Sequence, residues 1–245
     1  MASGFEDEKL NACCLTEYRQ LPGTPRGKII KITDISTYHI AGTDHASKNK
    51  AMVLLTAIFG LTKNPRITAD ELSEKAGFDI YIPDLFNGNP ITSSFLQGIP
   101  QVSGEKMSIG IKKIKTLRSE KGTTRVQAVG YCFGGLYALL VGSKELHLAD
   151  AIVGCHVSLT NKTHYEQLDV PATFVYAQQE DQFTDALRAE AEHILARKSE
   201  IPSKFLLTKG TVHGFAARPD PDNTTIMNAY KQANDFIAEW LKAHL

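Results

Sequence analysis

Short apolar runs alternate along this chain with longer segments in which apolar residues recur at helical spacing. A continuous apolar run predicts a strand that is buried on both faces. Such runs lie at Ala51–Phe59, Phe78–Ile82, the stretch before Cys132, Ala149–His156, Ala172–Ala177 and Lys204–Thr208. Two further strands, Lys28–Thr33 and Ser36–Ile40, are predicted to form an antiparallel edge.

Helical periodicity fills the intervals between these runs. Helices are predicted at Pro65–Gly77, Glu105–Leu117, Phe133–Val141, Asp185–Lys198 and Asn223–Leu241. Strands that alternate with helices predict an α/β fold, with a mostly parallel central sheet and helices on both faces. We expect an irregular segment over 1–26 and a single domain over 27–245. The long loop Leu85–Gly104 is predicted to form a lip or lid over a site.

Charge narrows the possible partners. Charged residues make up 22% of the chain and the formal net charge is zero, so no basic field is available for nucleic acid or an anionic membrane. No apolar run approaches the length of a transmembrane helix. We therefore expect a small-molecule substrate, and a monomer or a homodimer.

The cysteines indicate a reducing compartment. There are four, Cys13, Cys14, Cys132 and Cys155, and their spacing fits neither a zinc site nor a disulfide framework. The acidic first ten residues lack the apolar core of a signal peptide, so we expect a cytoplasmic protein. The last three residues, Ala243-His244-Leu245, loosely resemble the S-K-L peroxisomal address; the alternative is the frayed end of a helix.

The stretch Arg125–Gly135, RVQAVGYCFGG, carries the main chemical signal. It predicts a strand, a sharp turn at Cys132 and a helix that begins near Phe133. Glycines at 130 and 134 flank the turn, where the backbones of strand and helix would nearly touch. This is the layout of a nucleophile elbow, with Cys in the place of Ser, and the helix N-terminus favours a thiolate. The alternative is a buried structural Cys in a glycine-rich turn.

A thiol nucleophile needs a base, and the base needs an acid that orients it. Such residues are expected directly after strands, because sites lie at the carboxyl ends of parallel strands. In hydrolases of this architecture the chain order is nucleophile, acid and histidine, which Asp181 and His213 satisfy. Glu180 and Asp185 are rivals to Asp181, and His156 is the rival to His213.

The negative charge of a tetrahedral intermediate needs two hydrogen-bond donors. In the elbow architecture these are the backbone N–H after the nucleophile and one in the loop after an earlier central strand. The corresponding residues are Phe133 and Ile58. For Ile58 the alternative is a plain core residue.

With these residues in place, the chain resembles the dienelactone hydrolase family of α/β-hydrolases, and its fungal-type members in particular. The resemblance runs from about Cys13 to Leu241, and it is most specific at GYCFGG (130–135), ED (180–181) and HGFAAR (213–218). The opening CC…GTPxG of 13–27 is similar too. The resemblance implies an α/β-hydrolase fold and a triad of Cys132, His213 and Asp181. It also implies hydrolysis of a lactone or activated ester through a thioester, with no metal or organic cofactor.

Two departures from that pattern bear on the substrate. Bacterial members carry an acidic residue beside the oxyanion residue, where this chain has Ala57. They also hold a substrate carboxylate with two arginines. The position of the first falls here in segment 84–88, which has no arginine, and the position of the second is Ala217. Arg218 follows one position later. A less charged lactone, ester or thioester is therefore expected. The candidate pocket residues are Phe59, Phe86, Phe95, His156, Phe215 and Arg218.

Three functions are compatible with these residues. The first is a hydrolase that uses the Cys–His–Asp triad. The second is a cyclase, isomerase or dehydratase of a biosynthetic intermediate, with His213 as acid and base and the oxyanion donors holding an enolate. The third is a binding protein with an inherited pocket, which the joint presence of Cys132, Asp181 and His213 disfavours.

Overall fold

The computed structural model describes residues 19–44, 49–89, 114–119 and 122–244. Eight strands form one sheet in the order β1-β2-β4-β3-β5-β6-β7-β8. The strands are β1 Lys28–Ile32, β2 Ile35–Ile40, β3 Lys50–Leu55, β4 Asp79–Pro83, β5 Arg125–Tyr131, β6 Ala151–Cys155, β7 Ala172–Gln179 and β8 Ser203–Val212. All pairings from β4 through β8 are parallel, whereas β1 and β2 pair antiparallel at one edge. The predicted mostly parallel sheet and its antiparallel edge are thus confirmed.

Five helices are described over their full length. They are α1 Lys63–Ala76, α2 Phe133–Val141, α3 Lys162–Glu166, α4 Asp185–Ala196 and α5 Thr224–Ala243. Residues 114–119 are helical as well, whereas the predicted start of that helix lies outside the described residues. The short helix α3 was not predicted, because five residues are too few to show a periodic pattern.

Helices cover both faces of the sheet, as expected. On one face α1 and α5 bury Leu72, Ile237 and Trp240 against the core. On the other face α2 and α4 bury Leu136 and Ile194. The central strands β5 and β6 are therefore buried along almost their whole length, which explains their continuous apolar sequence.

Two strand ends differ from the prediction in ways that affect the site. β3 ends at Leu55 rather than at Phe59, so Ile58 lies in the turn that follows it. β7 continues to Gln179 rather than stopping at Ala177, with an irregular register against β8 between these two residues. Each shift changes which residue comes first after its strand.

The carboxyl ends of β3, β5, β6, β7 and β8 meet along one edge of the sheet, which we call the catalytic edge. Cys132, His156, Glu180 and His213 all follow these strands directly. The predicted lip beginning at Leu85 is a turn up to Asn89, and its remainder lies outside the described residues. Within the described part of the chain, no helix is long and apolar enough to cross a membrane.

Candidate active site

Cys132 occupies a strained turn between β5 and α2. Its φ of 53° and ψ of −115° lie in a region that residues with a side chain rarely adopt. Such a conformation costs on the order of 1–3 kcal/mol and persists only where the surroundings enforce it. The Cys132 N–H donates to the carbonyl of Cys155 at 3.0 Å, which ties the turn to the end of β6.

The glycines on either side explain how the turn closes. A Cβ added at Gly130 would lie 2.1 Å from the carbonyl oxygen of Gly134. A Cβ added at Gly134 would lie 2.1 Å from the carbonyl oxygen of Leu55, at the end of β3. No other residue fits at these two positions without moving backbone. The thiol is 3% exposed and stands at the N-terminus of α2.

His213 follows β8 and is almost completely buried. Its Nδ1 lies 2.7 Å from Oε2 of Glu180, and the two side chains are 2% and 5% exposed. The other carboxylate oxygen of Glu180, Oε1, accepts a hydrogen bond from the backbone N–H of Ala177 at 3.2 Å. Glu180 is thus fixed at both oxygens and in turn fixes the ring of His213.

Asp181, the acid expected from the chain order, is exposed to solvent. Its carboxylate is nearby, since ligand atoms of Glu180, Asp181 and His213 all lie within 4.8 Å of one another. The Nδ1–H of His213 nevertheless donates its described hydrogen bond to Glu180, which the sequence offered only as a rival. Because β7 runs two residues further than expected, Glu180 is the first residue after the strand.

Burial lowers the pKa of His213, but Cys132 and then Glu180 outweigh burial through their charges and hydrogen bonds. The net result raises the pKa of His213 to about 10. The protonated imidazolium is therefore favoured at neutral pH, beside a sulfur that can carry the matching negative charge.

Ser158 and His156 are the other polar neighbours of the thiol. The Oγ of Ser158 lies 3.3 Å from Cys132 Sγ and 3.2 Å from His213 Nε2. The ring of His156 is completely buried and packs edge-on against His213, with 5.1 Å between ring centroids. Sequence reasoning missed Ser158, because a single serine after a strand carries no signal of its own.

His156 was expected in the pocket, and the structure places it among the site residues. Its ring also packs against Phe215 with 5.7 Å between centroids. Neither ring nitrogen has a hydrogen-bond partner of normal geometry among the described residues. Burial lowers the pKa of His156, and the nearby Cys132 offsets that only in part, so the ring stays neutral.

The two predicted oxyanion residues lie at the start of α2 and in the turn after β3. Phe133 is the first residue of α2, where an N–H has no acceptor within the helix. Ile58 lies buried in the turn after β3, a turn closed by the Gly60 N–H donating to Ala57 O at 3.0 Å. The close approach of Gly134 to Leu55 puts the start of α2 beside that turn.

The remaining pocket candidates take different positions. The ring of Phe86 packs against Phe133 with 5.7 Å between centroids, next to the elbow. Phe59 is partly buried and lines two cavities beside the turn after β3, whereas Phe95 lies outside the described residues. Arg218 turns back on its own loop, where Nη2 donates to the carbonyl of His213 at 3.1 Å.

A small, mostly apolar cavity of about 20 Å³ adjoins the turn after β3. Its wall includes three alanines, Ala57, Ala216 and Ala217. The hydroxyls of Thr56 and Tyr131, two other residues of this wall, are buried and have no hydrogen-bond partner among the described residues.

The chain is similar to known proteins along most of its length. Residues 35–245 match the model of the dienelactone hydrolase family. "Hydrolase pyvD" of Aspergillus violaceofuscus is 28% identical over 235 residues, covering 91% of this chain and 92% of its own. "Hydrolase tropI" of Talaromyces stipitatus is 24% identical and covers 96% of each chain. The crystal structure of a putative dienelactone hydrolase from Klebsiella pneumoniae has a TM-score of 0.66 at 16% identity, covering 84% of this chain and 92% of its own.

Proposed function

The chain is a hydrolase that belongs to the dienelactone hydrolase family, and we propose that it cleaves an uncharged lactone, ester or thioester through an acyl intermediate on Cys132. One observation carries the proposal. The thiol on the strained elbow adjoins an imidazole that a buried carboxylate orients at 2.7 Å. Nucleophile, base and orienting acid need this mutual geometry to work together.

Glu180 takes the orienting role in this proposal, in place of the Asp181 expected from the sequence. Its two hydrogen bonds fix the carboxylate against the ring of His213, and its burial strengthens its effect on the imidazolium. Asp181 sits at the solvent side, where water screens its charge.

The reaction starts from a thiolate and an imidazolium, which the raised pKa of His213 favours. The sulfur attacks the carbonyl carbon, and the oxygen of the tetrahedral intermediate receives hydrogen bonds from the N–H groups of Phe133 and Ile58. Imidazolium then gives its proton to the leaving oxygen or sulfur. In the second half, neutral His213 takes a proton from water, which attacks the thioester and releases the acid.

The walls of the site favour an uncharged substrate. A carboxylate group on the substrate would need a positively charged partner, and the side chains of Ala57 and Ala217 carry no charge. The Arg218 side chain already donates a hydrogen bond to the His213 carbonyl. The buried hydroxyls of Thr56 and Tyr131 line the small cavity beside the turn after β3, where they could hydrogen-bond a water molecule. Burial raises the pKa of Tyr131 well above its usual value, so its phenol remains a donor.

A screen of lactones, aryl esters and thioesters tests the proposal, with Cys132→Ala, Cys132→Ser and wild type in parallel. We expect a loss of about 10⁴-fold or more in kcat/KM for Cys132→Ala. Intact-mass spectrometry of the wild type should show an acyl adduct, located by peptide mapping at Cys132. Cys155→Ala is the matched control, because Cys155 is also buried at a strand end. Turnover that survives Cys132→Ala would refute the mechanism.

A non-hydrolytic reaction is the second candidate, and one observation favours it. Two imidazoles with oppositely shifted pKa values, His213 raised and His156 lowered, lie 5.1 Å apart. Such pairs can serve as acid and base in an isomerisation or dehydration. The second candidate predicts full turnover of a true substrate without an acyl adduct, and a large loss of activity in His156→Phe.

A further inference from the structure

Ser158 belongs to a buried turn of strained backbone that follows β6. It follows β6 in the sequence His156-Val157-Ser158-Leu159, and it is completely buried. The φ angles of His156 and Leu159 are 38° and 59°, so two residues with side chains hold the left-handed region on either side of it. The N–H of Ser158 donates to the carbonyl of Cys132 at 3.2 Å, which ties this turn to the elbow.

The hydroxyl lies within hydrogen-bond distance of both reacting groups. Its Oγ is 3.3 Å from the nucleophilic sulfur and 3.2 Å from Nε2 of His213. Among the described residues these are its two hydrogen-bond partners. The buried Ser143 offers a contrast, since its hydroxyl donates to the carbonyl of Leu140 at 2.8 Å in the ordinary way.

We propose that Ser158 is a catalytic residue, which carries the proton between Cys132 and His213. The idea rests on the proposed function, because it assigns the route by which that thiol becomes a thiolate. A serine hydroxyl can accept one hydrogen bond while it donates another, as its contacts with the thiol and the imidazole require.

The proton transfer balances without any other reactant. The Sγ–H bond of Cys132 breaks, its electron pair stays on sulfur, and the proton passes to Ser158 Oγ. At the same time the Oγ–H bond breaks, and that proton bonds to Nε2 of His213. Ser158 ends unchanged, the sulfur is a thiolate and the imidazole an imidazolium. In the ion pair the same hydroxyl donates to the sulfur and accepts from Nε2–H, so it stabilises both charges.

The test compares Ser158→Ala, Ser158→Thr and Ser143→Ala with the wild type. The first readout is the pH profile of iodoacetamide alkylation at Cys132, followed in the tryptic peptide 126–144, which contains no other cysteine. We expect Ser158→Ala to move this profile to higher pH and to lower kcat/KM by about 10- to 100-fold. Ser158→Thr keeps the hydroxyl, so its alkylation profile and its kcat/KM should lie close to those of the wild type. Ser143→Ala should change neither the profile nor kcat/KM.

Alkylation needs no substrate, which separates this proposal from the proposed function. If the wild type hydrolyses no ester but Ser158→Ala still shifts the alkylation profile, the role of Ser158 in forming the thiolate–imidazolium pair holds and the substrate assignment fails. If wild type forms the acyl adduct while Ser158→Ala alkylates with an unchanged profile, transfer between Sγ and Nε2 is direct and the relay is wrong. A loss confined to thermal stability would likewise assign Ser158 a purely structural role and overturn it.

Discussion

The two ends of the parallel strands differ in how far their charged pairs are exposed to water. At the amino end, Asp150 accepts hydrogen bonds from Arg118 at 2.6 Å and from the Val126 N–H at 2.7 Å. Both side chains of that ion pair keep partial contact with water, at 31% and 19% exposure. At the catalytic edge, Glu180 and His213 form their pair at 5% and 2% exposure, beside a thiol.

Residues with positive φ occur at both ends, since His147, before β6, has a φ of 42°, but three of them surround the reacting groups. Cys132, His156 and Leu159 all adopt positive φ at the catalytic edge, next to the reacting groups. Water can stabilise the charges of the amino-end pair if one partner is lost, but it cannot reach those at the catalytic edge. The amino end therefore contributes stability in an ordinary way, whereas the catalytic edge holds unfavourable features that only the reaction explains.

The largest difference in activity between the two ends is expected for the variants His213→Gln and Asp150→Asn. We expect His213→Gln to lower kcat/KM by about 10²–10⁴-fold, because base and acid are lost together. Asp150→Asn should keep kcat/KM within about twofold and lower the free energy of unfolding by about 1 kcal/mol. Steady-state kinetics and urea unfolding measure the two effects. The reverse pattern would mean that the division between the two ends is wrong.

Gly134→Ala and Gly122→Ala test the backbone at each end. The added Cβ at Gly134 meets the Leu55 carbonyl at 2.1 Å, so backbone must shift, and we expect a loss of about 3 kcal/mol together with most activity. Gly122 has a φ of 65° and no atom within 4 Å of an added Cβ, so only the conformational cost of about 1 kcal/mol remains. Equal losses in urea unfolding would show that the elbow is not tight.

A smaller effect concerns pH. Burial lowers the pKa of His164, in the segment after β6, to about 4, and its Nδ1 accepts from the Asn161 N–H at 3.0 Å. The unfolded chain takes up this proton first, near pH 6.5, so the native state loses stability as the pH falls from about 6.5 towards 4. This loss amounts to about 2–3 kcal/mol. Urea unfolding at several pH values should show a shallower dependence in His164→Gln; an unchanged slope would contradict the assignment.

Much of the fold follows from the sequence, because buried parallel strands require continuous apolar runs and α5 carries a long apolar stripe. The elbow could be predicted as well, since two glycines at fixed spacing are needed where strand and helix touch. Cys132 and His213 were placed at the correct edge by the same reasoning. The family and the mostly parallel sheet are confirmed by comparison with known proteins.

The details that the sequence left open depend on strand ends and tertiary contacts. Choosing between Glu180 and Asp181 requires the last residue of β7, and the sequence after Ala177 is too polar to show that the strand continues to Gln179. Ser158 acquires its position from the turn after β6 meeting both the elbow and the loop after β8. No local sequence pattern predicts the contact between these three segments.

The most direct test of the proposed triad compares kcat/KM of Glu180→Gln with that of Asp181→Asn on one aryl ester. Each variant replaces a carboxylate with an amide of the same size, so folding should be little affected. The account predicts a loss of about 10²–10⁴-fold for Glu180→Gln, because the imidazolium loses its buried partner. It predicts that Asp181→Asn changes kcat/KM by less than about threefold, because water screens the charge of Asp181 in the wild type. A large loss for Asp181→Asn with little change for Glu180→Gln would contradict it.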